Sequence, residues 1–137
     1  LVDAPEESYV MDCVARVPGV IAVAAATEET DTNNLLGKAG SYYARIVFSY
    51  ELVGNSSAQG ANLVAQGTDC GGSIEVFNTA EDAEKRSVYL GAFDGTVFAS
   101  GSHTVIGTVL VRTSDKLTTS QQKELEANII EILTTVS

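Results

Sequence analysis

His103-Thr-Val-Ile-Gly-Thr-Val-Leu-Val-Arg-Thr113 is the segment from which the fold is predicted here. It is rich in β-branched residues, which are enriched in strands because they pack well on a pleated surface. Its apolar residues alternate between the two faces of an extended chain, with Val105, Val109 and Val111 on one face and Ile106 and Leu110 on the other. A strand that is apolar on both faces is covered on both faces. The pattern therefore predicts a single central strand over residues 103–113.

Helical patterns lie on both sides of this strand in the sequence. Thr119-Ser-Gln-Gln122 is typical of a helix start. The apolar residues that follow have helical spacing, and they are Leu125, Ile129, Ile132, Leu133 and Val136. Upstream, Thr79-Ala-Glu-Asp82 resembles a capping box and predicts a helix that runs to about Phe93.

The first half of the chain adds one more helix and the other strands. A helix is predicted between Asp3 and Gly19, and its apolar stripe consists of Tyr9, Val10, Cys13, Val14 and Val17. Strands are predicted over 20–27, 41–52 and 73–77. In the second of them, the core face is expected to carry Tyr42, Ala44, Ile46, Phe48 and Tyr50. Residues 28–40 and 53–72 are rich in Gly and polar residues, which predicts irregular connections.

The order of these elements is αβββαβα, which predicts an α+β fold. We expect a single layer pair in which helices pack against a sheet of about four mainly antiparallel strands. A length of 137 residues is typical of one domain with one core, so residues 1–137 form one domain. With 45% apolar and 19% charged residues, the composition excludes a disordered or coiled-coil chain.

The charge balance argues against a nucleic-acid partner, and the length of the apolar runs argues against insertion into a membrane. Eight basic residues against 18 acidic ones give a net charge of −10. Binding to nucleic acid needs clustered Lys and Arg, so a nucleic-acid partner is not expected. The longest apolar run, Val20 to Ala26, is far shorter than the roughly 20 residues of a membrane span, so no direct insertion into a membrane is expected.

Three stretches of the chain carry a resemblance to known proteins. They are residues 27–42, which end in Gly40-Ser41-Tyr42, residues 71–90, which begin with Gly71-Gly72-Ser73-Ile74-Glu75-Val76-Phe77, and Ser100-Gly101-Ser102-His103 with the strand that follows. Together they resemble uncharacterised secreted and lipoprotein-type surface domains of Gram-positive bacteria, especially actinobacteria. The resemblance implies an extracellular or cell-surface-anchored setting and names no activity. The chain begins at Leu1 without a signal-peptide pattern, so we expect a mature domain cut from an anchored precursor.

The extracellular setting bears on the two cysteines, Cys13 and Cys70. Extracellular domains with an even number of cysteines normally pair them, so we expect a disulfide between these two residues. The alternative is that Cys13 is a small buried apolar residue and Cys70 is a free thiol. Because His103 is the only histidine, a zinc site built from Cys and His is excluded.

Two groups of residues suggest alternative functions. Ser102 beside His103, with Asp94 as an orienting acid, suggests a hydrolase. Neighbours on one strand point to opposite faces, however, and no G-x-S-x-G turn is present. Residues 28–34 supply Glu28, Glu29, Asp31, Asn33 and Asn34, an oxygen-rich set of the kind that calcium favours, although the spacing is not that of an EF-hand.

A third pattern suggests a binding surface. Arg86 lies one helical turn before Tyr89, and Tyr42, Tyr43 and Tyr50 share one strand. Such a cationic and aromatic surface suits a ligand or a peptide. The pattern favours ordinary packing instead, in which Arg86 covers apolar surface with its stem and each Tyr buries its ring.

The sequence as a whole predicts a non-catalytic extracellular or cell-surface domain with a binding or structural role. No catalytic, cofactor-binding or metal-binding residue is assigned, and no cofactor is expected. The partner or ligand and the oligomeric state stay open. The alternatives are a hydrolase that uses Ser102, His103 and Asp94, and a calcium-stabilised surface domain that uses the loop Glu28 to Asn34.

Overall fold

The computed structural model describes residues 3–53, 60–93 and 101–135. Its helices are α1 (Glu7–Ala15), α2 (Gly60–Gln66), α3 (Ala80–Gly91) and α4 (Thr119–Thr134), and a 3-10 turn (Gly67–Cys70) follows α2 directly. Its strands are β1 (Val20–Ala25), β2 (Ala44–Tyr50), β3 (Gly71–Val76), β4 (Ser102–Ile106) and β5 (Val109–Thr113).

All five of these strands join one antiparallel sheet in the order β1-β2-β3-β5-β4. The predicted α+β class with an antiparallel sheet is therefore confirmed, and the sheet has five strands rather than about four. The three inner strands, β2, β3 and β5, are buried along their whole length, and β3 is the middle strand of the sheet.

The prediction of one central strand over 103–113 is wrong. The segment folds back on itself as a hairpin, in which Ile106 of β4 pairs with Val109 of β5. The two-residue connection begins at Gly107, whose φ of 59° lies in the left-handed region that glycine adopts without strain. As a result, β5 is an inner strand and β4 is an edge strand, which leaves Ile106 only partly buried.

The stretch 53–72, predicted to be irregular, contains helix α2 and the 3-10 turn. Leu63 and Val64 of α2 are buried against Val47 of β2 and Ala24 of β1, and this contact holds the short helix on the sheet. With α2 and the hairpin included, the order of helices and strands is αββαβαββα instead of αβββαβα.

Helices cover both faces of the sheet, so the fold has three layers rather than one layer pair. On the first face, α1 and α4 pack over Ile46, Ile74 and Val111, which are paired across β2, β3 and β5. On the second face, α2 packs over Val47, and α3 packs over Leu110.

The last helix is confirmed in its position and in its buried stripe. Leu125, Ile129 and Leu133 are buried in the core of the first face. Thr118 and Gln121 form the capping box, one residue earlier than the predicted start. Val136 lies outside the described residues.

The expected disulfide is wrong, because both cysteines are free and buried. Cys13 of α1 packs in the core of the first face, and Cys70 packs with α2 on the second face. The sheet separates the two thiols. Among the described helices, none has the length and the apolar character needed to cross a membrane.

Candidate functional site

The second face of the sheet carries charged residues in its middle. Arg45 of β2 pairs with Glu75 of β3, and Glu75 pairs with Leu110 of β5, so these residues share one face. Arg112, two residues after Leu110, lies on the same face. Arg45, Glu75 and Arg112 are all buried. Because burying a charge is costly unless it is paired, these residues must find partners on this face.

Asp31 is the partner of Arg45 and the centre of the first ion cluster. The Nη1 of Arg45 donates to Oδ1 of Asp31 at 2.9 Å. The other carboxylate oxygen accepts the hydroxyl of Tyr42 at 2.6 Å and the backbone N–H groups of Leu35 and Leu36 at 2.9 and 3.0 Å. Burial alone would raise the pKa of Asp31, but these hydrogen bonds outweigh it and hold the pKa below its usual value.

Glu75 is the centre of the second ion cluster. Its two oxygens accept from Nε and Nη2 of Arg86 at 3.0 and 3.4 Å, and from Nη1 of Arg112 at 3.0 Å. Burial by itself would lower the pKa of Arg86, but the Glu75 carboxylate outweighs it and raises that pKa. Deeper burial lowers the pKa of Arg112 even beside Glu75. One carboxylate thus fixes an arginine of β5 and an arginine of α3.

Tyr42 joins the Asp31 cluster to the apolar core of this face. Its ring lies 5.9 Å from the ring of Phe77, centroid to centroid. Burial, followed by the hydrogen bond to Asp31, raises the pKa of Tyr42 strongly, so the phenol stays protonated and continues to donate.

A cavity of about 810 Å³ opens beside these clusters, between α3 and the loop that precedes β2. We call it the basic groove. Its charged lining residues are Lys38, Asp82, Lys85, Arg86 and Arg112, and its apolar lining residues are Leu35, Phe77, Tyr89, Leu90 and Phe93. In the part of the chain that the structure describes, the groove thus gathers four of the eight basic residues of the protein with one acidic residue.

Arg86 and Tyr89 form the wall of the basic groove on α3. The Arg86 guanidinium lies 5.6 Å from the centre of the Tyr89 ring, a cation–π distance. Tyr89 packs edge to face on Phe93, with ring centroids 5.3 Å apart. The Arg86 side chain is 11% exposed while that of Glu75 is fully buried. The predicted pair of Arg86 and Tyr89 therefore exists, and buried Glu75 holds it in place.

The hydrolase residues do not come together. The hydroxyl of Ser102 bonds Thr113, its pairing partner on β5. His103 lies on the opposite face of β4, where its Nδ1 is 2.9 Å from the hydroxyl of Ser87 on α3. Asp94, the predicted orienting acid, lies outside the described residues.

The pair of Ser87 and His103 was not predicted, since 16 residues separate the two in sequence. Ser87 lies inside α3, which spans Ala80–Gly91, where the helix uses the backbone N–H groups. The backbone N–H groups around Ser87 are therefore not available to stabilise an oxyanion. We interpret the hydrogen bond between Ser87 and His103 as a contact that positions α3 on β4.

The acidic loop 28–34 is not arranged around a cation. Asp31 points inward to Arg45, while Glu28 and Glu29 are exposed. Asn33 donates its side-chain amide to the hydroxyl of Tyr42 at 3.2 Å. Among the residues that the structure describes, no group of three or more His, Cys, Asp or Glu residues has the geometry of a metal site.

Comparisons of this chain with protein-family models, with curated proteins and with solved structures gave no match. The functional site therefore has to be argued from the geometry of the chain itself. The two ion clusters were missed in the sequence, although it holds one signal of them: Arg45, Glu75 and Arg112 each interrupt an apolar strand.

Proposed function

We propose that this chain is a non-catalytic binding module that acts outside the cell or at its surface, and that its ligand occupies the basic groove. The observation that carries the proposal is the gathering of four basic side chains at one cavity of a protein with a net charge of −10. Arg86 and Arg112 share the single carboxylate of Glu75, and Lys85 pairs with Glu81. Among the described residues, the four cations still outnumber the carboxylates that pair with them or line the groove, which are those of Glu75, Glu81 and Asp82.

The dimensions of the groove support a small-molecule ligand. A volume of about 810 Å³ falls within the range of roughly 300–1,000 Å³ that is usual for small-molecule sites. Such sites combine apolar walls with a few polar groups, as Tyr89, Leu90 and Arg86 do here.

The state of the buried carboxylates supports a non-catalytic role. A general acid or base must exchange a proton with a substrate, and its pKa lies near the working pH. Asp31 has a lowered pKa and five hydrogen-bond donors around it. Glu75 is enclosed by two guanidinium groups. Both carboxylates are surrounded by donors from the protein itself and hold the site in shape.

The extracellular setting rests on the resemblance to secreted surface domains. The free cysteines give it no further support, because neither thiol is placed to pair with the other. Protease treatment of intact cells that produce the protein tests this part of the proposal. We expect the domain to be cleaved on intact cells, and protection until the cells are lysed would contradict an extracellular location.

Chemical-shift mapping with a mixed collection of neutral, anionic and cationic fragments tests the groove. We expect the shifts to concentrate on Leu35, Lys38 and Tyr89. Ser41→Trp, which fills the groove, should abolish them. The matched control Ser8→Trp, at an exposed position of α1, should leave them unchanged. Chemical-shift changes at residues outside the groove, or changes that persist in Ser41→Trp, would contradict the proposal.

A further inference from the structure

We infer that the ligand of the basic groove is a small molecule with an anionic head group, a carboxylate or a phosphate, on a flat apolar body. The inference rests on the proposed function, since it names the class of molecule that the groove takes. It follows from the placement of the cations, from the exposed aromatic wall and from the charge of the whole protein.

The head group is assigned from Arg86, Lys38 and Lys85. Nε and Nη2 of Arg86 donate hydrogen bonds to Glu75, and Nη1 of Arg86 makes no hydrogen bond within the described residues. Lys38 is exposed at the loop side of the groove, and it forms no ion pair with any residue that the structure describes. Lys85 pairs with Glu81 at 3.2 Å, but both side chains are more than two-thirds exposed, so an anion can replace Glu81 at little cost. Carboxylates and phosphates are the anions that guanidinium and ammonium groups bind best.

The flat body is assigned from the aromatic wall. Tyr89 is 57% exposed, although an aromatic ring of this size gains from burial. Its position is fixed by the edge-to-face contact with Phe93 and by the Arg86 guanidinium. A ring that is both fixed and exposed offers a flat surface for stacking. Leu35 and Leu90 supply apolar surface to the same groove.

The net charge limits the ligand to a small anion. A polymer with many phosphates would meet the repulsion of a protein with a net charge of −10. Charges farther from the head group than the screening length of roughly 8 Å at physiological salt are largely screened, so a single head group responds mainly to the nearby cations of the groove.

A matched series of naphthalene probes tests the inference by calorimetry and chemical-shift mapping. The probes are 2-naphthoate, 2-naphthyl phosphate, neutral 2-naphthamide and cationic 2-naphthylmethylamine, with acetate as an anion that lacks the flat body. We expect the better of the two anions to bind about tenfold more tightly than the amide. Whichever anion binds better distinguishes a carboxylate site from a phosphate site. The amine and acetate should bind more weakly than either.

Two pairs of variants connect the affinity to the groove. Lys38→Gln should weaken the anion about threefold, whereas Lys123→Gln, an exposed position on α4, should leave the affinity unchanged. Tyr89→Ala should weaken every naphthyl probe about fivefold. Its neighbour Val88→Ala, which is 73% exposed and does not line the groove, should have no effect.

The outcomes separate this inference from the proposed function. Equal binding of the amide and the anions in the groove would overturn the inference and leave the groove as a ligand site. Absence of binding by all the naphthyl probes would also overturn it, and the mixed fragment collection would then decide the proposed function by itself.

Discussion

Glu75 is the residue on which the geometry of the site depends. Its carboxylate is fully buried and binds Arg86 of α3 and Arg112 of β5. A carboxylate in this position ties a helix to a strand and sets the direction of the Arg86 side chain. The buried carboxylate of Glu75 therefore fixes one wall of the basic groove through Arg86, although Glu75 does not line the groove itself.

Glu75→Gln removes the buried charge and leaves two guanidinium groups without their counterion. We expect a loss of about 3–5 kcal/mol in the free energy of unfolding, which is typical of breaking a buried ion pair. Urea denaturation followed by circular dichroism measures it. The control Glu81→Gln breaks the exposed pair with Lys85 and should change little. Equal midpoints for the two variants would show that the buried cluster adds nothing to stability.

Asp31 gives the protein a defined dependence on pH. Its pKa is lowered in the folded state, against roughly 4 in an unfolded chain. A lowered pKa contributes stability that is complete above the unfolded value and is lost as the pH falls through the folded value. We therefore expect the free energy of unfolding to fall below about pH 4.

Urea unfolding at a series of pH values tests this dependence. In Asp31→Asn the part of the acid loss that belongs to this carboxylate should be absent, so the curve should be flatter below about pH 4. If this variant does not fold, the carbon-13 shift of the Asp31 carboxyl in the native protein reports the same titration. A midpoint at or above the value of a free Asp would contradict the account.

The elements show which parts of the fold a sequence can predict. Helices α3 and α4 were found because their caps and stripes are local: Thr79 accepts from the N–H of Asp82, and Thr118 pairs with Gln121 in the same way. Helix α2 was missed because it is seven residues long, and its periodic signal is limited to Leu63 and Val64. Such a short helix is stable only through its packing on the sheet.

The hairpin was missed because its turn interrupts the β-branched pattern at Gly107 alone, since Thr108 is itself β-branched. In the structure Val105 lies on the face of Leu110, and Ile106 on the face of Val109, the reverse of their predicted placement. Gly107 was the available signal. The ion clusters were missed for a different reason, since Arg112 and Glu75 are 37 residues apart and meet only through strand register.

Helix α4 depends on Leu133 for its contact with the sheet. Leu133 is 1% exposed in the core of the first face. We expect Leu133→Ala to cost about 2–5 kcal/mol, because the lost burial and the remaining cavity add together. Chemical denaturation measures the change, with Glu131→Ala on the exposed side of α4 as the control. A loss no larger than that of the control would mean that α4 is not held on the sheet.

At the scale of the whole molecule, the sheet divides the core into two faces of different character. The first face, under α1 and α4, packs apolar side chains, both aliphatic and aromatic. The second face carries the ion clusters and borders the basic groove. Both faces thus contribute to stability, and the charged site is built on the second face.

The reactivity of the two cysteines tests this arrangement of the two faces of the sheet. Cys13 lies in the core of the first face and Cys70 packs against α2 on the second. Burial raises the pKa of the Cys70 thiol, which slows its reaction further. We expect two thiols per chain to react with a thiol reagent after unfolding without reductant, and slow reaction in the folded protein. A count of zero after unfolding would restore the disulfide and contradict the described packing.

We propose that the basic groove binds a small anion with a flat body. Contacts between the protein and a bound probe test this binding. Nuclear Overhauser effects between the ring protons of bound 2-naphthoate and the protein identify the neighbours of the probe. We expect contacts to the rings of Tyr89 and Phe93 and to the methyl groups of Leu35 and Leu90. Contacts to α1 or α4 instead, or a bound probe with no contact to Tyr89, would contradict it.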